Sequence, residues 1–308
     1  MGSISSGDES KDLFAGRPPQ PIKCEWLTAR DKRLAPSAEI IRLVVDEGRA
    51  SCDGWANDVY QRHFLRDIQE FIGPTNAVLM TDAGSIKAYL PPMRPTVDSL
   101  KSGLLALGTA LSHIEPGPME MLVGVDGCVR GQIPHLQTIV HVHGRIEPSL
   151  ESTTVKLYPI EDEKPSLIGW KICEELCRVP EKLSPARRVQ TGVGLVLVLV
   201  CNDAAIFGAR SRANLKLELK KAIRTHFLQQ SVEEPRPAYI LIATHWQAGA
   251  SGGNAFRQAA DYLCAETGST AVITMRAPRA ELRAAAHHFE VEGPRKEKVA
   301  TLLVRDTA

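Results

Sequence analysis

The sequence predicts a layered α/β domain, because segments typical of strands alternate with segments typical of helices along the chain. Most of the strand segments are hydrophobic on both faces, which indicates strands buried on both sides and not the alternating pattern of a β-sandwich. The clearest segment is Leu195 to Val200, in which every residue is Leu or Val and which follows glycines 192 and 194. It predicts a central strand that ends in Cys201, followed by Asn202 and Asp203.

The first half of the chain shows the same alternation. Residues 55–72 place Val59, Phe64, Ile68 and Phe71 on one helical face, and Gly73-Pro74 ends that helix. Leucines repeat in a similar way over residues 97–113 and predict a second helix. Strands are predicted over residues 38–46, 76–82, 119–125, 136–143 and 153–158, with a proline-rich loop at residues 91–95 and a turn at Gly144.

In the second half, a weakly helical stretch at 165–178 precedes the Cys201 strand. A helix is predicted over 212–229, where apolar residues recur every fourth position. A glycine-rich loop at 249–253 leads to a helix over 254–267, with Asn254 as its N-cap. The remaining strands are predicted over residues 237–244, 269–275 and 299–304.

Length and composition predict one large globular domain. The chain has 308 residues, 44% of them hydrophobic and 24% charged, and a net charge of +1, which gives no reason to expect a nucleic-acid partner. No apolar run is long enough to span a bilayer, and residues 1–10 do not have the apolar region of a secretory signal. We therefore expect a cytoplasmic protein with a tail and irregular extension over 1–37, which packs on the domain near Trp26, and one domain over 38–308.

The cysteines favour a reducing compartment. Seven are scattered through the sequence, an odd number that indicates free thiols. Cys173 and Cys177 share a helical face, but no second Cys or His pair lies at metal-binding spacing nearby, so we interpret them as packing residues. His141 and His143 face one side of a strand, and without a third ligand they are better interpreted as structural than as a metal pair.

Three ionisable residues interrupt the apolar pattern. Asp82 and Cys201 each end a buried strand, and Lys156 lies in a short apolar strand. Taken singly, each has a plain structural interpretation: a strand-end turn for Asp82, a surface lysine, and a core cysteine. Because the carboxyl ends of strands in open α/β folds carry chemistry, we predict that the three side chains share one site.

The order of these residues resembles the carbon–nitrogen hydrolase superfamily, which includes nitrilases and aliphatic amidases and uses a carboxylate, a lysine and a cysteine in that order. Ala77 to Asp82 is similar to its strand ending in Pro-Glu, and Lys156-Leu157-Tyr158-Pro159 to its Lys-x-x-Leu-Phe segment. Val198 to Asp203 is similar to its Ile-Cys-Tyr-Asp elbow. The resemblance covers about residues 38 to 305. It implies a four-layer α-β-β-α sandwich, no metal or organic cofactor, and a homodimer or higher homo-oligomer paired through helices after Cys201 and near 254–267.

The resemblance also implies roles for individual residues. Cys201 is the expected nucleophile toward a small amide or nitrile, and Asp82 the expected acceptor of its proton. Lys156 would lower the thiol pKa and hold the oxyanion together with the backbone N–H of Asn202. A second acid is expected at Glu174 or Glu175. His245 and Trp246 follow a predicted strand and are expected to line the pocket.

Departures from the family pattern leave two other hypotheses open. The family acid is a glutamate, and Asp82 is shorter by one methylene. The chain could therefore be a catalytically inactive binding or assembly module with the same fold. A third hypothesis is a cysteine protease with a Cys–His dyad formed by Cys201 with His245 or His143.

Overall fold

The computed structural model describes residues 22–46, 58–91, 97–128, 134–149, 152–156, 187–208, 218–245, 249–289 and 291–306. These ranges contain twelve strands and seven α-helices. The strands are β1 (Ile22–Trp26), β2 (Ile40–Asp46), β3 (Val78–Met80), β4 (Ile86–Tyr89), β5 (Glu120–Cys128), β6 (Pro134–His143), β7 (Thr153–Val155), β8 (Arg188–Thr191), β9 (Gly194–Val200), β10 (Tyr239–Ala243), β11 (Thr270–Ala277) and β12 (Val299–Asp306). The helices are α1 (Ala29–Leu34), α2 (Asp58–Ile72), α3 (Val97–Leu111), α4 (Asn202–Ala205), α5 (Glu218–Val232), α6 (Gly249–Thr267) and α7 (Leu282–His288).

The strands form one curled, mixed sheet that forks at β2. Its main order is β7-β6-β5-β3-β2-β11-β10-β9-β8, with β4 on β5 and with β12 between β1 and β2. The fork arises because β2 pairs with β12 over Ile40 to Val45 and with β11 only over Val44 to Asp46. The central strands are parallel, and the antiparallel pairs involve β1, β6, β7 and β8. The mixed α/β class predicted from the sequence is confirmed.

Strand β9 is buried on both faces, as its unbroken apolar sequence predicts. Val196, Val198 and Val200 point into a cluster with strand residues from both arms of the fork, including Ile40, Leu122 and Leu241. Leu197 and Leu199 point the other way, into a larger cluster that contains helix residues. The alternation of Val and Leu in the sequence therefore separates a strand–strand cluster from a helix–strand cluster.

The N-terminal extension is more regular than the sequence predicts. Residues 22–26 form β1, which adds an edge strand to β12. Helix α1 follows, and Thr28 and Asp31 form a capping box at its start. Trp26 packs at 6.0 Å from the ring of Phe71, close to where the sequence predicts that the extension meets the domain.

Several other elements differ from prediction. Strands β4 and β8 are only four residues long, which is too short for a reliable alternation signal. Helix α6 begins at Gly249, so Asn254 is an exposed residue inside the helix and not its N-cap. The stretch 249–253 is weak in helix propensity, and its helical state depends on tertiary context. The predicted helix at 165–178, with Cys173 and Cys177, lies outside the described residues.

Two further observations concern membrane-spanning helices and cysteine pairing. None of the described helices is long and apolar enough to cross a bilayer. The four described cysteines, Cys24, Cys128, Cys201 and Cys264, are all free thiols.

Candidate active site

The predicted site residues follow the carboxyl ends of strands that run in one direction. Asp82 follows β3, Lys156 follows β7, Cys201 follows β9, and His245 lies two residues after β10. Because β3, β9 and β10 belong to the parallel part of the sheet and β7 has the same direction, these ends meet at one rim. Asn202 is the first residue of α4, while Glu174, Glu175 and Trp246 lie outside the described residues.

Cys201 occupies a sharp turn between β9 and α4. Its φ is 49° and its ψ is −116°, and among the described residues no other non-glycine residue has a positive φ. Such a backbone costs about 1–3 kcal/mol and persists only where the surroundings impose it. Its N–H donates to the carbonyl of Ala243 at 2.6 Å, and its carbonyl accepts from the N–H of Ala204 at 3.1 Å. A strained strand-to-helix turn of this kind presents a nucleophile at the rim of a sheet.

Two basic side chains act on the Cys201 sulfur. Burial raises the pKa of the thiol, but the charge of Lys156 and the hydrogen bonds and charge of His245 outweigh burial and bring the pKa to about 7. Lys156 is itself buried, with 5% of its surface exposed. Cys201 can therefore carry a substantial thiolate fraction at neutral pH.

His245 is also bound to a buried carboxylate that sequence analysis missed. Its Nε2 lies 2.9 Å from Asp126 Oδ1 and 3.1 Å from Asp126 Oδ2. Burial opposes the charged imidazole, but Asp126 and Cys201 raise the pKa of His245 to about 10. The pKa of Asp126 is lowered, because His245 and Arg276 outweigh the opposite effect of burial.

Asp82 is placed at the same rim but is engaged by other groups. Its Oδ1 accepts from the N–H of Gly84 at 2.9 Å, the hydroxyl of Ser85 at 3.0 Å and Arg276 Nη2 at 3.2 Å. Its Oδ2 accepts from Arg276 Nε at 2.9 Å. The structure therefore brings Lys156 and His245 to Cys201, and it pairs Asp82 with Arg276. The proton-accepting role of Asp82 stays a prediction.

A second buried ion pair supports the turn at Cys201. Arg187 Nη1 lies 3.1 Å from Asp203 Oδ2, and both side chains are at most 2% exposed. Arg187 also donates to the carbonyl of Val155 at 2.7 Å, and its guanidinium lies 4.2 Å from the ring centre of Phe227. It therefore links the residue before Lys156 to the second residue of α4.

Two of the three residues that sequence analysis missed, Asp126 and Arg276, are charged residues at the end of an apolar strand, as Asp82 is. Asp126 comes directly after the predicted strand 119–125, and Arg276 directly after the predicted strand 269–275. A charged residue that ends an apolar strand was the signal used for Asp82, so applying it to every strand would have identified both. Arg187 has no such signal, because it precedes its strand.

His141 and His143 lie at the opposite rim. His141 Nε2 is 2.7 Å from Glu120 Oε1, and Glu120 also accepts from the N–H of Gly192 at the start of the β8–β9 turn. His143 is exposed and is the register partner of Glu120. Of the two histidines considered for a dyad, the structure therefore brings His245 to Cys201. Within the described ranges, no group of three or more His, Cys, Asp or Glu side chains could hold a metal ion.

A groove of about 810 Å³ also opens at the opposite rim. It is lined by the end of α3, residues 112–117 and residues 144–148. This groove contains none of the residues that surround Cys201, so we assign the chemistry to the Cys201 rim and not to the groove.

Comparisons with known proteins found similarity only among solved structures. No protein-family model and no curated protein sequence matches it. Among solved structures, the chain is similar to XC1258 from Xanthomonas campestris, described as a CN-hydrolase superfamily protein with an arsenic adduct in the active site. The two are 9% identical, the match covers 78% of this chain and 74% of that one, and the TM-score is 0.36. At these values the match carries no argument about chemistry, which depends on the site geometry.

Proposed function

We propose that this protein is a thiol-dependent hydrolase that cleaves a non-peptide carbon–nitrogen bond, most simply an amide, through a thioester on Cys201. The observation that carries the proposal is the position of Cys201 at a strained strand-to-helix turn beside the buried ammonium of Lys156. An amide carbon requires a nucleophile stronger than water, and a thiolate held at neutral pH meets that requirement.

Lys156 serves in two steps of the proposed reaction. Before attack, its charge stabilises the Cys201 thiolate. During attack, the carbonyl oxygen becomes an oxyanion, and the same ammonium can stabilise it together with the backbone N–H of Asn202 at the start of α4. Removing one such donor typically costs roughly 3–4 kcal/mol of transition-state stabilisation.

The residues outside the described ranges complete the proposal. Glu174 or Glu175 would position Lys156 and the leaving group, and Trp246 would line the substrate pocket next to His245. The role of the glutamate comes from the family resemblance, and that of Trp246 from its position just after a strand. The substrate is proposed to be a small amide or nitrile.

We also propose a layer arrangement, a cellular compartment and a mode of subunit pairing for this protein. Two separate apolar clusters, one between strands and one between strands and helices, support a four-layer α-β-β-α sandwich over residues 38–308. Free thiols fit a reducing, cytoplasmic setting. Pairing of two subunits through α6 and the helices after Cys201 would extend the sandwich.

One observation favours a different function. If the acid at position 82 is essential for catalysis, its ion pair with Arg276 would leave the site inactive, and the chain would be a nitrilase-like binding or assembly module. The two functions differ in whether Cys201 forms an acyl intermediate.

Ammonia release from a panel of amides, nitriles and carbamoyl compounds tests the proposed function. We expect at least one compound to be hydrolysed, Cys201→Ala to lower the rate by at least roughly 10³-fold, and mass spectrometry to trap a thioester on Cys201. Cys264→Ala is the matched control, because Cys264 lies on α6 with its thiol bonded to the carbonyl of Glu292. Absence of hydrolysis across the panel, with no acyl adduct, would favour the binding module.

A further inference from the structure

We propose that His245, oriented by Asp126, exchanges the proton with the Cys201 sulfur during catalysis, and that Asp82 does not. The inference rests on the hydrolase function proposed above and assigns the acid–base group of that site. His245 is the catalytic residue in this assignment because it contacts the reacting sulfur, and Asp126 is a positioning residue.

Strand pairing places His245 next to the sulfur. Val200 and Ala243 are register partners in β9 and β10, and the N–H of Cys201 bonds to the carbonyl of Ala243. His245 is two residues beyond Ala243, and both its imidazole and its backbone act to lower the pKa of the Cys201 thiol. The contact is therefore fixed by the backbone of two central strands and not by a mobile side chain alone.

Asp126 fixes the orientation of the ring. Its two oxygens lie 2.9 and 3.1 Å from Nε2, which leaves Nδ1 as the ring nitrogen available to exchange a proton with the sulfur. A carboxylate, an imidazole and a nucleophile in this order form the constellation of general-base catalysis.

The contacts of Asp82 oppose the same role for it. Four hydrogen bonds from Gly84, Ser85 and Arg276 already occupy its two oxygens. Accepting a proton would weaken a bidentate pair with a buried guanidinium, which is costly when both charges are shielded from water. Asp82 therefore acts as the anchor of Arg276.

The charged groups around His245 are consistent with an ion pair between its imidazolium and the Cys201 thiolate. Asp126 and the Cys201 thiolate favour its charged form, and Lys156 acts on the thiolate. Arg276 and Lys87 act on Asp126 and keep it ionised. In this assignment Lys156 takes no part in moving the proton, so its charge can act on the oxyanion while His245 exchanges the proton.

The proposed reaction has two stages, formation of a thioester on Cys201 and its hydrolysis. The thiol proton passes to His245, and the sulfur forms a bond to the carbonyl carbon, whose oxygen becomes anionic. As the oxyanion collapses, the C–N bond breaks and His245 gives the proton to the leaving amine, which leaves the thioester. Water then loses a proton to His245 and attacks the thioester carbon. The C–S bond breaks, the acid product leaves, and the thiolate takes the proton back from His245, which restores the starting state.

The test compares His245→Gln and Asp126→Asn with His141→Gln, which removes the other described His–carboxylate pair at the far rim. Two readouts are used: hydrolysis of the best amide as a function of pH, and the pH dependence of Cys201 alkylation by iodoacetamide. We expect His245→Gln and Asp126→Asn to lower kcat by roughly 10²-fold or more. Both variants should also shift the alkylation midpoint of Cys201 upward, toward its ordinary value of 9.0. His141→Gln should change neither readout.

The outcomes separate this inference from the hydrolase function. If Cys201→Ala abolishes hydrolysis while His245→Gln and Asp126→Asn behave like the wild type, the hydrolase stands and the inference is overturned. If no amide or nitrile is cleaved, the hydrolase function and the catalytic role of His245 both fail, and the alkylation midpoints then show only whether His245 lowers the pKa of the Cys201 thiol. Asp82→Asn gives a further check, since a larger loss of activity at constant stability than in His245→Gln would reassign the proton to Asp82.

Discussion

At the scale of single residues, the site is a compact set of buried charges of both signs. Asp82, Asp126 and Asp203 are buried carboxylates, and Arg187, Arg276 and Lys156 are buried cations at the same rim. A thiolate at Cys201 and an imidazolium at His245 add one charge of each sign. Buried charges are tolerated when they are paired, so this arrangement stabilises the ionised form of the nucleophile.

Gly84 packs closely against the side chains of Asp126 and Arg276. A Cβ built at position 84 would overlap Asp126 Oδ2 and come within 3.0 Å of Arg276 Nη2. Asp126 cannot retreat without lengthening its contacts with His245. We expect Gly84→Ala to slow Cys201 alkylation at neutral pH and to lower the free energy of unfolding by about 1–3 kcal/mol.

Denaturant unfolding and iodoacetamide labelling measure the two effects of Gly84→Ala. Gly108→Ala is the control, because its Cβ would meet only Pro148 Cδ at 3.4 Å and it lies within α3. That substitution should be neutral or stabilising. Wild-type labelling and stability in Gly84→Ala would contradict the close packing of Gly84 against Asp126.

At the scale of elements, the site is built where parallel strands end. Sequence predicted these ends well for β3, β9 and β10, because continuous apolar runs stop at a polar residue. It did not predict that Asp126, a residue inside β5, would contact His245 across the rim. Such a contact depends on how the sheet curls, and the spacing of residues along the chain contains no information about it.

The pair of Arg187 and Asp203 holds the turn at Cys201 in place. We expect Arg187→Met to lower the free energy of unfolding by roughly 3–5 kcal/mol, because Asp203 loses its buried guanidinium partner. Cys201 alkylation should also slow, since Arg187 bonds to the carbonyl of Val155 next to Lys156.

Arg66→Gln is the control for Arg187→Met. The Arg66 side chain is 41% exposed and pairs with surface acids, so its loss should change stability by less than about 0.5 kcal/mol. Denaturant unfolding compares the two variants. Equal stability of Arg187→Met and the wild type would show that the turn does not depend on the buried pair.

At the scale of the whole molecule, the forked sheet brings together residues from distant parts of the sequence. Composition and pattern were sufficient to predict the α/β class, and the order of Asp82, Lys156 and Cys201 predicted the shared rim. The partners of these residues could not be predicted. A carboxylate at the rim can pair with any cation that the curvature of the sheet brings close to it. The structure pairs Asp82 with Arg276 and gives His245 a carboxylate of its own in Asp126.

The central claim is that Cys201 is a thiolate nucleophile activated by its neighbours. The most direct measurement is the rate of iodoacetamide alkylation of each cysteine as a function of pH, followed by mass spectrometry of peptides. Reactivity of Cys201 should fall as pH drops through about 7, because the thiol becomes protonated there, whereas the midpoint of Cys264 should lie above 9.0. A midpoint for Cys201 near 9.0, indistinguishable from an ordinary thiol, would contradict the account.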